Sequence, residues 1–351
     1  MKVLTGISTR PNVEHAVNEA VSSFGVPKMI IFFSAATAFA EISEKISARY
    51  PHALVLGTTS YYTYFNQNIS QNALTVISFE DDIDCSGGVI EEIKRYPLKY
   101  VSRVKNAVDM LPPSFIGTEN TICLEFATAF SLSEELVLAT LNSICGEYDI
   151  PVIGGTAGVS PLEAMAGSGT TYVSLNGKVY EDACIFAFIR NKKGRIKLFK
   201  ENIYKPTSKS FMTTSVDVQH RIIRTLDNMP VADVLQKALK CTKEHLPQLL
   251  SESPIGRIVG NEIYISDYAG IYDDGSIGWS TRIYNNTKII LLKPGDLKKE
   301  TQETLNRIIK DVPHPSFTFI IHCLARTMYY EKMNYLADYV STVAAKLGNV
   351  S

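Results

Sequence analysis

Two short stretches place glycines and small hydroxyl residues where an apolar run stops. One is Pro151-Val152-Ile153-Gly154-Gly155-Thr156-Ala157-Gly158, the other Val55-Leu56-Gly57-Thr58-Thr59-Ser60. Each reads as a short buried strand entering a glycine turn, which leaves backbone N–H groups and hydroxyls facing open space. Thr58, Thr59, Ser60, Gly154, Gly155 and Thr156 are therefore candidates for holding a carboxylate or another small polar group. The plainer reading is that these glycines only let strands turn and helices approach.

Arg326 follows an apolar stretch, and its guanidinium keeps its charge in any surroundings, so it needs a partner. A ligand carboxylate would serve through two parallel hydrogen bonds; so would a structural pair with an acidic neighbour such as Asp273 or Glu125. Cys323 beside His322 invites a nucleophile–base reading. Neighbours on one strand point to opposite faces, which argues for a structural thiol instead. His322 could also serve as an axial haem ligand, or simply be satisfied in the core. Cys241 and His245 have the i, i+4 spacing of two metal ligands on a helix, but two ligands do not make a site, so no metal is expected. Tyr61, Tyr62, Tyr64 and Phe65 follow the first glycine turn and could line a pocket or a core. Trp279 lies near the Asp273-Asp274-Gly275 turn, whose acids read as turn residues, with one available to a ligand's ammonium group.

These groups need a scaffold, and the pattern supplies a mixed α/β one (α+β-like): repeated strand–helix–strand units plus antiparallel strands forming mixed sheets flanked by helices. Residues 29–33 are a continuous apolar strand of the doubly buried kind. Residues 36–50 carry Phe39, Ile42 and Ile46 on one helical face. Residues 53–56 then lead to the first glycine turn, and 74–79 and 85–93 read as antiparallel strands joined by Glu80-Asp81-Asp82. The order recurs with a strand at 121–126, a helix at 131–148 and a strand at 151–153, and Ala-Thr-Ala-Phe occurs at 36–39 and again at 127–130. An internal repeat over about 27–95 and 119–204 follows. Asn176-Gly177 joins strands 172–175 and 178–189 as a hairpin. Residues 195–204 form the next strand, and 205–210 read as a linker, dividing the chain into domains 1–205 and 206–351. Beyond it, 211–226 is extended and Pro230 opens a helix. Residues 317–323 form a buried strand, and 330–347 a last helix. The earlier units would continue with a strand and glycine turn where Gly348-Asn349-Val350-Ser351 stands. A closing strand is therefore expected to be missing, through a boundary or continuation into another domain.

The balance of 35 basic and 36 acidic residues gives a formal net charge of −1 with neither sign concentrated, which argues against nucleic acid and a basic membrane-binding face. The longest apolar run, 29–40, is too short to span a bilayer. The six cysteines are scattered with no CxxC pair, as expected of reduced thiols in a cytoplasmic protein.

The order of several short motifs resembles the FIST family. They are the 152–158 turn and the strands after it, Met229-Pro230-Val231-Ala232 opening a helix, the Asp274-Gly275 hairpin, and His322-Cys323-Leu324-Ala325-Arg326. The resemblance covers nearly the whole chain, with a FIST N-terminal domain in 1–205 and a FIST C-terminal domain in 206–351. It departs at the C-terminus, where a closing strand with a Gly-Glu pair is expected. The resemblance implies a ligand-sensing input module, in bacteria often joined to a chemotaxis transducer, a histidine kinase or a cyclic-dinucleotide output, with amino acids as proposed ligands. Some members look like haem-dependent gas sensors, and a eukaryotic branch occurs in F-box proteins. The expectation is a cytoplasmic, non-enzymatic sensor of a small polar ligand bound between two halves, without a cofactor, possible as a homodimer. Its ligand-binding residues would be Thr58, Thr59, Ser60, Gly154, Gly155, Thr156, Cys323 and Arg326. The alternatives are a haem-binding gas sensor and a thiol-dependent hydrolase.

Overall fold

The computed structural model describes residues 1–112 and 119–348. Pro113 and residues 349–351, the latter in the end where a closing strand was expected to be missing, lie outside the described residues. Helix accounts for 31% and strand for 34%, so the chain is a mixed α/β protein in which neither class dominates. It divides into two compact units.

The first unit comprises Met1–Phe199, Ile308–His322 and Leu336–Ser351. Its six-stranded sheet runs Lys2–Ser8, Leu74–Asp81, Met29–Ser34, Leu54–Thr59, Val173–Leu175, Lys178–Tyr180. A four-stranded sheet runs Ile83–Glu91, Ala183–Asn191, Thr121–Ala127, Val152–Thr156. Met29, Ile31, Leu56 and Ile77 of one sheet share an apolar core with Leu124, Phe126, Ile185 and Ile189 of the other. The alternate residues Ile30 and Phe32 pack instead with Phe39, Ile42 and Ile46 of the helix Phe39–Arg49 and with Val17 of the helix Val13–Ala20. On the far side, Cys123, Ala127, Cys184 and Phe186 pack with Val104 and Leu141 of the helices Val101–Asp109 and Glu134–Cys145. Four layers result, helix–sheet–sheet–helix. This explains why Met-Ile-Ile-Phe-Phe is apolar throughout: successive side chains enter two different cores. Burying each such aliphatic or aromatic side chain stabilises by about 1.5–3 kcal/mol.

Topology makes the repeat explicit. Strand, helix, strand, helix, strand, hairpin, strand runs from Lys2 to Asp81 and again from Ile83 to Asn191, the second copy adding the short helix Pro161–Met165 before its hairpin. In each copy the second and third strands are parallel, and the last strand lies antiparallel between the first and second. Each copy thus begins one strand and one helix before the bounds read at 27 and 119. Residues 83–91 open the second sheet and do not pair with 74–81 as expected. The shared tetrapeptide marks different places: Ala36–Ala38 is a 3-10 turn leading to a fully buried Phe39, whereas Ala127 still belongs to its strand and Phe130 is exposed at φ 59°. The hairpin at Asn176-Gly177 is present, but 178–189 breaks in two, with Lys178–Tyr180 in one sheet and Ala183–Asn191 central in the other.

The second unit comprises Lys200–Arg307 and Cys323–Tyr335. Its antiparallel sheet runs Glu262–Ser266, Ile255–Val259, Lys288–Pro294, Tyr204–Asp217, Ile222–Leu226, Ile277–Trp279, Tyr268–Ile271. Trp279, Leu226, Ile289 and Val231 and Leu235 of the helix Val231–Leu239 form its core. Residues 205–210, read as a linker, lie inside the fourteen-residue strand Tyr204–Asp217. The pairing register shifts there between Pro206 and Ser210, where a residue without an N–H interrupts the ladder. The strand expected at 195–204 is irregular up to 203. The expected last helix 330–347 is two, Leu324–Lys332 and Leu336–Leu347, separated at Asn334 with φ 52°.

Candidate functional site

In the first unit the two glycine stretches are strands, not turns, and their ends meet. Gly57 lies within Leu54–Thr59, where a Cβ would collide with the Phe32 ring. Gly154 lies within Val152–Thr156, where a Cβ would collide with the Glu125 carbonyl. Close approach, not turning, demands both glycines. Past the strand ends, the Gly158 N–H donates to the Thr59 carbonyl at 2.7 Å, and the Ala157 N–H donates to the Ala127 carbonyl at 2.7 Å. The Thr59 hydroxyl accepts the Tyr172 N–H at 3.2 Å, and the Ser60 hydroxyl donates to the Tyr62 carbonyl at 2.6 Å. Thr58 and Thr59 are buried. These three residues are thus committed to joining the sheets and closing the hairpin formed by Tyr62–Phe65 and Asn68–Gln71.

The second stretch differs, because it was expected to be buried and is not. Val152–Thr156 is half-buried and its Thr156 exposed. It is the last strand of its sheet, paired only with Thr121–Ala127 among the described residues. Its outer backbone groups therefore have no strand partner. Gly154 stands opposite Glu125 in the parallel register, and a Cβ there would also lie 2.6 Å from the Glu125 carboxyl. Glu125 is 7% exposed, and its Oε2 accepts the Cys184 thiol at 3.3 Å. Burial, with Glu134 adding like charge, raises its pKa to about 8. Sequence reading offered Glu125 only as a partner for Arg326. The signal available was a lone acid between Cys123-Leu124 and Phe126-Ala127 in an otherwise apolar strand.

Residues 317–322 were read as part of a buried strand and form no regular strand. Phe317 and Phe319 pack edge-on and tilted against Phe79 and Phe33, and Ile321 reaches Gly155. His322 Nδ1 is 2.8 Å from the Tyr64 hydroxyl, and its ring stacks on Tyr339 at 5.3 Å. Burial lowers its pKa to about 4, so it is neutral at neutral pH. Its Nε2 is buried and one ring face is covered by Tyr339, an arrangement that does not suit an axial haem ligand.

In the second unit, Arg326 forms an ion pair with the Glu201 carboxylate, donates to the Glu201 carbonyl at 3.3 Å and to the Tyr330 hydroxyl at 3.0 Å. Its structural partner is therefore Glu201, not Asp273 or Glu125. Cys323 is the N-cap of the helix Leu324–Lys332 and is exposed, contrary to the buried position expected. Desolvation and the neighbouring Asp267 carboxylate push its thiol pKa up, against the first-turn N–H groups of Arg326 and Ala325. That is the reverse of nucleophile activation. Asp267, missed in the sequence, is itself raised by burial.

The metal spacing dissolves as well: the helix ends at Leu239, Cys241 lies beyond it, and His245 Nδ1 is 3.0 Å from the Thr242 hydroxyl. Among the described residues no group of three or more His, Cys, Asp or Glu is placed to hold a metal. Asp274 accepts the Ser276 N–H and hydroxyl as a turn residue. Among the described residues no helix is long and apolar enough to cross a membrane.

The chain matches the FIST N domain model over residues 28–229 and the FIST C domain model over 232–350. No curated protein matches it. Among solved structures, it is similar to thiamine monophosphate kinase from Aquifex aeolicus at 8% identity and TM-score 0.19, covering 60% of this chain and 79% of that one. It is similar to hydrogenase maturation protein HypE at 10% identity and TM-score 0.17, covering 66% and 77%. Likenesses of this size carry no argument about fold or activity.

Proposed function

We propose a small-molecule sensing role, from the premise that this chain belongs to the FIST family, whose domains are sensory modules of signal-transduction proteins. The ligand is a small polar metabolite of amino-acid type. It binds along the open edge of Val152–Thr156 and passes its signal to a fused or separate output, such as a chemotaxis transducer or histidine kinase. The observation carrying this reading is the edge itself. Gly154 and Gly155 bring half-buried backbone to the outer strand of the sheet, with Ile321 beside Gly155 and the Glu125 carboxyl against Gly154, and the strand ends at the exposed Thr156. Edges of this kind bind through main-chain hydrogen bonds. Differential binding to two arrangements of the protein is all a sensor requires. Six free thiols support a reducing, cytoplasmic setting. The role is binding and not catalysis: the exposed thiol is held protonated, and His322 is held neutral between two tyrosines.

The test is a thermal-shift screen of the twenty amino acids against the full chain, followed by calorimetry on any hit. At least one should raise the melting temperature, and Thr156→Arg, at an exposed position, should remove the shift while leaving the unliganded melting temperature in place. A hit untouched by Thr156→Arg, or no stabilising compound in the screen, would sink this reading.

A further inference from the structure

An open groove in the first unit lies between the C-terminal half of the helix Phe39–Arg49 and the Asn176-Gly177 turn. It holds about 510 Å³, within the roughly 300–1,000 Å³ of small-molecule sites. The fold fixes its walls. The Asn176 N–H donates to the Val55 carbonyl at 2.8 Å, and the Val55 N–H donates to Asn176 Oδ1 at 2.9 Å, which pins the turn to the strand Leu54–Thr59. Ala48, Pro51 and Val55 supply apolar lining and Tyr50 an aromatic ring. Glu44 is the one charged residue of the lining. It is exposed, and its carboxylate makes no hydrogen bond or ion pair among the described residues. The cations near it in sequence are engaged: Lys45 pairs with Glu14 and Glu41, and Arg49 donates to Asn18 and lies 5.9 Å from the Tyr50 ring centroid. Past the turn, Lys178 sits over the Tyr180 ring. The backbone adds charge of the same sign, because the helix ends here and its last carbonyls collect partial negative charge. The Ile46 carbonyl accepts the Tyr50 N–H at 3.1 Å, but the Ser47 carbonyl has no N–H four residues on, since residue 51 is proline.

We propose that this groove is a second ligand site, for a small organic amine in its ammonium form. It is separate from the strand edge 152–156 and stands or falls independently of the role given to that edge. An ammonium carries three donors and no acceptor, which matches a free carboxylate beside a helix end short of donors. Glu44 takes the charge, the terminal carbonyls take the remaining N–H groups, and an apolar chain lies along Ala48, Pro51 and Val55. Glu44, Ser47 and Ala48 stand at i, i+3 and i+4, so the charge and the apolar surface share one helix face. A carboxylate or phosphate would instead meet Glu44 and the negative end of the helix, with no cation in the lining to answer it.

The probe is n-butylammonium chloride, with sodium chloride at equal ionic strength and uncharged n-butanol as controls. Amide NMR of the full chain reads the site directly. The probe should move the Ser47, Asn176 and Gly177 signals in a saturable way, and neither control should. Glu44→Gln changes an exposed side chain and should fold, yet weaken binding at least about threefold, the scale of one solvent-facing ion pair. Ala48→Arg, also at an exposed position, places a guanidinium four residues after Glu44 and should abolish binding by answering that carboxylate from within the helix. No saturable shift at the groove, equal shifts with n-butanol, or affinity unchanged in either variant would overturn the proposal.

Discussion

The Gly158 N–H donates to the Thr59 carbonyl at 2.7 Å, and this bond joins the ends of two parallel strand pairs that belong to different sheets. The junction explains why two similar glycine stretches occur and why they behave differently. Leu54–Thr59 has strand neighbours on both sides, so its hydroxyls and glycine are spent on packing. Val152–Thr156 has one strand neighbour among the described residues, so its glycines remain at an edge.

Adjacent glycines on that edge should separate sharply in stability. A Cβ at Gly154 meets the Glu125 carbonyl and carboxyl, whereas a Cβ at Gly155 meets only Ile321 Cγ2 at an ordinary 3.7 Å. Gly154→Ala should destabilise by about 1–3 kcal/mol or more through overpacking. Gly155→Ala should stay within about 0.5 kcal/mol of wild type. Urea unfolding of the two variants checks this, and equal effects would show that strand 152–156 is free to move away from its neighbour.

The ion pair between Arg326 and Glu201 makes a second prediction. The side chains are 16% and 10% exposed, so removing one partner leaves a charge in a mostly buried place. Arg326→Ala should cost about 3–5 kcal/mol. A double-mutant cycle with Glu201→Ala should show strong coupling, the double variant losing much less than the sum. Additive losses would mean that Arg326 is held chiefly by its other contacts, such as Tyr330.

How far the sequence discloses this molecule can be followed residue by residue. The apolar run at 29–33 announces a doubly buried strand, and Asn176-Gly177 announces its hairpin, because both signals are local. Pairing across the chain is not local. Nothing near 85–93 reveals that this strand leaves the sheet of its predecessor, since the choice depends on Ala183–Asn191, about a hundred residues later. The site divided the same way. Glycine and threonine at 154–156 were visible, but the edge position that makes them available, and the carboxyl of Glu125 beneath Gly154, follow from strand order. Arg326 was seen to need a partner, and Glu201 could not be chosen from its spacing.

Two buried groups should give the stability opposite pH dependences. His322 titrates at about 4 in the fold and near its ordinary 6.5 when unfolded, so between these values the unfolded chain binds the extra proton. Stability should therefore fall as pH drops from about 6.5 to 4, by roughly 3 kcal/mol in full. His322→Gln should flatten that limb. Glu125 titrates at about 8 in the fold and near 4.5 when unfolded, so the folded chain holds the extra proton in that window. Its contribution should fall as pH rises from 4.5 to 8, and Glu125→Gln should remove the loss. Chemical unfolding from pH 4 to 9 separates the two, and a limb unchanged by its variant would assign it elsewhere.

Thiol labelling tests the placement of Cys323 against that of the other cysteines. It is exposed, Cys85 and Cys241 are half-buried, and Cys123, Cys145 and Cys184 are buried. Access therefore favours Cys323, while desolvation and Asp267 hold its thiol protonated above the usual range. Burial pushes the Cys85 thiol up as well, to about 11. Iodoacetamide under native conditions should thus modify Cys323 ahead of the three buried thiols, slowly at pH 7. The rate should keep climbing beyond the pH at which an ordinary thiol has levelled off. Asp267→Asn removes the adjacent carboxylate and should speed the reaction at pH 8 several-fold. Peptide mass spectrometry over time reads each site separately. Fast labelling at pH 7 would reveal an activated thiolate and restore the hydrolase reading that this geometry argues against.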